Sequence, residues 1–170
     1  MVKKPKTKLI KEKEILYNGA NWNEMEDDFT QNFYEQNLSQ FWRPEDISLQ
    51  PDLNVWSVLP DDIKLAYARN LLVLTFLDTH QGDIGMPVVA RSMDEHFHQR
   101  KAVLNFMAAM ENAVHAKSYS NIFMTYMSTP EIDELFRWGE SHKNLQKIMQ
   151  IIVGLYKELD KYNYLKKFEE

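Results

Sequence analysis

The sequence predicts an all-α bundle, and three observations carry that prediction. Its 170 residues contain only five Gly and six Pro, so long stretches run without either residue. Apolar positions recur at helical spacing through those stretches. No alternating apolar and polar run bounded by turn residues marks a strand. The composition, 44% hydrophobic and 12% aromatic, is enough to fill one core.

Residues 1–16 read as a basic, disordered extension, because the first fourteen hold six lysines and little that can pack. Asn21, with Glu24 and Glu26 after it, predicts the cap of a first helix running to about Gln40. Phe41-Trp42-Arg43-Pro44 breaks that periodicity. With Pro51 and Pro60 following, residues 41–59 read as an irregular, aromatic-rich connection. Pro60-Asp61-Asp62 opens a second helix, apolar on more than one face and therefore central, which Gly82, Gly85 and Pro87 weaken at its far end. A long, Met-rich third helix is expected from about Met93 to Met127. Ser128-Thr129-Pro130-Glu131 stops it and starts a fourth helical region, which runs to about Asp160 with a weak point at Gly139. Beyond Asp160 the periodicity weakens.

The net charge of −5 gives no reason to expect nucleic acid as a ligand. The absence of cysteine removes disulfides, thiolate nucleophiles and sulfur-based metal sites, so any metal must be held by oxygen and nitrogen. The longest apolar run, Leu71 to Leu77 interrupted by Thr75, falls far short of the ~20 residues that span a bilayer. No apolar core of a signal peptide is present near the start. The expectation is a cytoplasmic protein that binds neither membrane nor nucleic acid.

The chemical lead is a polar stripe on an apolar rod. Glu111, His115 and Tyr119 follow one another at intervals of four within Ala102 to Met124, so a helix places them on one face. A carboxylate flanked by Met107, Ala108, Met110, Ala113 and Val114 is unfavourable unless it is paired or bound to a cation. Asp78 closes a second apolar run, Leu71 to Leu77, and two bundle helices that each present such a group are how carboxylate-bridged metal sites are built. Oxygen-rich coordination with one imidazole suits manganese or iron. Tyr119 reads either as packing or as an oxidisable group beside a redox metal. Trp42 reads either as a plug of the bundle's end or as part of the chemistry. His96 and His98 read as surface residues, and His80 and His142 carry no signal. Gly-rich phosphate loops, nucleophile elbows and zinc-protease motifs are absent.

Several segments are similar to a known family. Ala20-Asn21-Trp22, Glu26-Asp27-Asp28-Phe29-Thr30-Gln31, Gln40-Phe41-Trp42-Arg43-Pro44-Glu45, Leu77-Asp78-Thr79-His80-Gln81-Gly82 and above all Met110-Glu111-Asn112-Ala113-Val114-His115-Ala116-Lys117-Ser118-Tyr119-Ser120 resemble the small, radical-generating subunit of class I ribonucleotide reductase, nearest to class Ib. The resemblance implies a ferritin-like helical protein. In that family a dimanganese or diiron centre oxidises a tyrosine to a radical, which passes to a large catalytic subunit that makes deoxyribonucleotides. It also implies a small-subunit homodimer and, for class Ib, a flavodoxin-like activating partner. By matching motif positions, Asp78, Glu111 and His115 correspond to metal ligands, Tyr119 to the radical tyrosine and Trp42 to the radical-transfer tryptophan.

A complete subunit of that family is about twice this length. Its second half adds two glutamates and a histidine to the metals, an aspartate to the transfer route and a tail that docks on the large subunit. Glu131, Glu134, Glu140 and Glu158 do not match those missing motifs. The expectation is therefore the N-terminal portion of such a subunit over residues 17–160, with an out-of-family tail at 161–170 from a divided or truncated reading frame. Three readings follow. The chain works with a complementing C-terminal half and is inactive without it, or it is a non-catalytic fragment that binds an intact small subunit, or it is a non-functional remnant.

Overall fold

The structure, a computed structural model, describes residues 17–166, and the extension expected at 1–16 lies outside the described residues. Among the described residues there are eight α-helices and no strand: α1 Asp28–Ser39, α2 Leu53–Val58, α3 Asp61–His80, α4 Met86–Ser92, α5 His98–Met110, α6 Lys117–Tyr126, α7 Thr129–Ser141 and α8 Lys143–Lys166. None is long and apolar enough to cross a membrane.

Helix α1 begins later than the sequence predicts. Asn21 closes only a local turn, accepting from the backbone N–H groups of Asn23 and Glu24. The cap is Asp27, whose carboxylate accepts the Thr30 N–H at 2.7 Å and the Thr30 hydroxyl at 2.8 Å. What holds residues 21–26 out of the helix is α5. The buried Gln99 side chain donates to the Asn21 and Glu24 carbonyls and accepts from the Glu26 N–H, while the Glu26 carboxylate accepts the Gln99 and Arg100 N–H groups at the open start of α5. The connection expected to be irregular contains α2 and two single-turn 3₁₀ helices, Pro44–Asp46 and Gln50–Asp52, each with proline at its start.

The second and third predicted helices are two long rods, each continued through a π-helical turn. Gln81–Gly85 joins α3 to α4, and Glu111–Ala116 joins α5 to α6. Gly82, Gly85 and Pro87 therefore do not end the first rod. Pro87, which lacks a donor, falls where the wider π turn has already interrupted the regular ladder. The second rod starts at His98 rather than Met93, because Met93 is extended and Asp94 forms a turn with His96 and Phe97.

Ser128 and Glu131 form the expected capping box at the start of α7. The break after α7 falls at His142, not at Gly139. Gly139 is buried inside α7, and a Cβ there would come within 2.6 Å of Leu72. His142 accepts the Leu145 N–H through Nδ1 at the start of α8. Helix α8 passes through Asp160 without a break and packs along α4 and the first π turn, with Tyr156 against Gly85 and Asp160 paired to Arg91 at 3.1 Å. The core between α3, α6 and α7 is built on Ala68, Leu72, Phe123 and Leu135, with Tyr119 packed against it.

Candidate metal centre

The two π turns bring the two rods together. Gly82 makes the close approach, since a Cβ at that position would lie 2.7 Å from the Ala108 carbonyl oxygen and 3.2 Å from the Asn112 Cβ. Asn112 donates to Asp83 at 2.6 Å, tying one π turn to the other. Such turns recur at functional sites because they shift side chains off regular helical register.

Asp78 lies in the last turn of α3, and Glu111 and His115 lie in the second π turn. His115 Nδ1 is 3.1 Å from Glu111 Oε2 and 3.8 Å from Asp78 Oδ2. One ligand atom from each of the three falls within 4.8 Å of the others, the one such group among the described residues. The Glu111 and Asp78 side chains retain only 12% and 16% of their exposure, and among the described residues no lysine or arginine pairs with either. Two largely buried carboxylates sharing a single imidazole are short of positive charge, which a divalent cation supplies. On that ground the donor set fits a metal.

Tyr119 is held against this group. Burial first, then the Asp78 carboxylate as hydrogen-bond acceptor and the charges of Asp78 and Glu111, push its hydroxyl up to about 12. The Trp42 ring stacks on the His115 imidazole with centroids 6.2 Å apart and planes 19° off parallel. All five residues singled out in the sequence are thus gathered in one region. His96 lies apart, near Asn18 and Glu95. His80 contacts the Phe76 carbonyl and ring, and His142 packs on Trp138.

The close approach at Gly82, the Asp83–Asn112 bond and the ion pair between Lys117 and Glu45 were not legible in the sequence. The signal present was the Gly82 and Gly85 spacing inside an otherwise helical pattern, which marks a close backbone approach as well as a weak helix.

A family model described as ribonucleotide reductase, small chain, matches residues 19–169. The chain belongs to that family. It is 55% identical over 154 residues to the ribonucleoside-diphosphate reductase subunit beta of Bacillus subtilis strain 168, covering 91% of this chain and 46% of the relative. It is 38% identical over 138 residues to subunit beta nrdF2 of Mycobacterium tuberculosis strain H37Rv, covering 81% of this chain and 41% of the relative. The crystal structure of Streptococcus sanguinis dimanganese(II)-NrdF superimposes with a TM-score of 0.76 at 38% identity, covering 83% of this chain and 49% of that one. This ribonucleotide reductase small-chain member therefore has part of the ferritin-like helical fold expected from its sequence. It spans about half the length of the relatives it matches.

Proposed function

We propose that the chain provides one half of the dimetal site of a class Ib-like ribonucleotide reductase small subunit, with Asp78, Glu111 and His115 as ligands. The observation that carries this reading is the largely buried, charge-deficient Asp78–Glu111 pair sharing one imidazole. Tyr119 is the residue to be oxidised and Trp42 the relay toward a large catalytic subunit that reduces ribonucleotides. A dimanganese or diiron pair bound there supplies the one-electron oxidation of a tyrosine. The chain's own residues prepare that tyrosine. Burial and the neighbouring carboxylates raise the Tyr119 hydroxyl from its usual 10 to about 12, and Asp78 is the acceptor beside it when the phenol gives up its proton. The apolar core packs against Tyr119 and covers part of its ring.

Two-metal chemistry needs both ions clamped at a fixed separation, and three donors hold one ion. A complementing polypeptide equivalent to the rest of the relatives supplies the remaining donors in this reading. The assembled subunit forms the homodimer and takes a flavodoxin-like activator. Two measurements test it. Mn(II) titrated into the 170-residue chain binds at one site, and Glu111→Gln weakens that binding at least tenfold. Electron paramagnetic resonance after metal loading and oxidation shows no tyrosyl signal from the chain alone. A signal appears when it is co-expressed with the remaining half of the Bacillus subtilis subunit, and Tyr119→Phe abolishes it. A tyrosyl signal from the chain alone, or Mn(II) affinity indifferent to Glu111→Gln, overturns the reading.

A further inference from the structure

We propose that the Glu45–Lys117 ion pair is a positioning device that holds Trp42 stacked on His115. The two partners are 72 residues apart in sequence, yet each adjoins the stack: Glu45 follows Trp42 by three residues and Lys117 follows His115 by two. Between Trp42 and Glu45 the chain is stiff. The Arg43 N–H and guanidinium both donate to the Asp46 carboxylate, the Asp46 N–H returns to the Arg43 carbonyl, and Pro44 is fixed at the start of the 3₁₀ turn. A four-residue turn braced in this way moves as one body, so fixing any point on it fixes its neighbours.

The turn, in which Pro44 is buried, packs against α6, and the Glu45 carboxylate meets the Lys117 ammonium of that helix. Apolar packing is non-directional and sets the distance of the turn from the helix, whereas the ion pair adds a polar tether that favours one orientation, and Trp42, directly before the turn, is carried with it. Both partners are more than half exposed, so the pair contributes little to overall stability; it biases the stacked arrangement over a swung-out one by about two- to fivefold. A bias of that size on a small equilibrium suits a relay that must sit close to its neighbour.

The importance of this contact for radical transfer rests on the role proposed above for Trp42, but the contact itself is testable without metal. The full chain is labelled with 5-fluorotryptophan, giving one fluorine resonance for each of its four tryptophans, and Trp42→Phe assigns the relevant one. Lys117→Met is expected to move the Trp42 resonance toward its solvent-exposed position and raise its H2O/D2O isotope shift, leaving Trp22, Trp56 and Trp138 in place. Lys117→Glu moves it further, and the exchange Glu45→Lys with Lys117→Glu brings it back. A resonance that stays put in both single variants overturns the proposal, as does an exchange variant that fails to restore it. In the assembled subunit Lys117→Met lowers the rate of radical transfer without lowering tyrosyl radical yield. Failure of any assembly to form a radical sinks the functional reading and leaves the fluorine result standing.

Discussion

Asp27 carries both an α1 cap and an ion pair to α5: its carboxylate accepts from Thr30 and lies 2.7 Å from the Arg100 Nε. The Thr30 N–H first, then the Thr30 hydroxyl and Arg100, hold its carboxyl at about 2 against an ordinary 3.8. The unfolded chain therefore takes up this proton at higher pH than the folded one. The stabilisation is complete above about pH 4 and is lost as pH falls toward 2. Asp27→Asn keeps a capping oxygen and removes the titration. The urea midpoint of the wild type is expected to exceed that of the variant at pH 6, and the gap to close between pH 4 and pH 2. A gap that is constant over that range would show that the carboxylate's charge is irrelevant. The same residue explains a misplaced boundary. Asn21 and Asp27 are both good caps, and only Gln99 and Arg100, more than seventy residues later, decide between them.

At the scale of elements, three glycines have different neighbours, and of these Gly82 is the one that lies between the two rods. At Gly82 an added methyl meets the Ala108 backbone carbonyl at 2.7 Å, which cannot move without shifting a helix. At Gly85 it meets the far end of the Tyr156 side chain at 2.6 Å rather than backbone. At Gly154 nothing lies within 4 Å. Gly82→Ala should therefore destabilise by about 1–3 kcal/mol, as overpacking against a rigid neighbour does. Gly154→Ala should stabilise by about 0.5–1 kcal/mol, the helix-propensity difference alone. Urea unfolding of the two variants checks both signs, and Gly82→Ala should also weaken Mn(II) binding by spreading Asp78 from Glu111. The cluster itself was legible because Glu111, His115 and Tyr119 keep intervals of four on one rod, and because Asp78 ends an apolar run where a charge stands out. The π turns that carry them were not legible. A π turn changes backbone bonding while leaving composition and apolar spacing nearly as they were, so the sequence pattern reads as a plain helix that is weak at its glycines.

Across the whole molecule, the apolar material predicted from composition is present, but it is not all covered. Helix α8 has two apolar faces. Leu145, Met149 and Tyr156 turn inward, with Leu145 and Met149 only 4% exposed. Ile148, Ile151, Leu155 and Tyr162 follow one another at intervals of three, four and seven on another face and remain 50–65% exposed. On α3, Tyr67 and Leu74 precede Asp78 by eleven and four residues, which places them on the face that bears Asp78, and they too are exposed. The sequence indicated that the first rod is apolar on more than one side; burial of each side depends on what packs against it, which no local pattern records. A contiguous apolar stripe in water drives association with any similar surface. The isolated chain is therefore expected to sediment with a concentration-dependent average mass and to bind a dye that reports exposed apolar surface. Ile151→Gln combined with Leu155→Gln replaces two side chains that are 55% and 60% exposed. It should lower both signals without reducing helical content by circular dichroism. Loss of helix would mean that this face is already part of the folded core, whereas unchanged association would place the sticky surface on α3 and leave α8 free of that role.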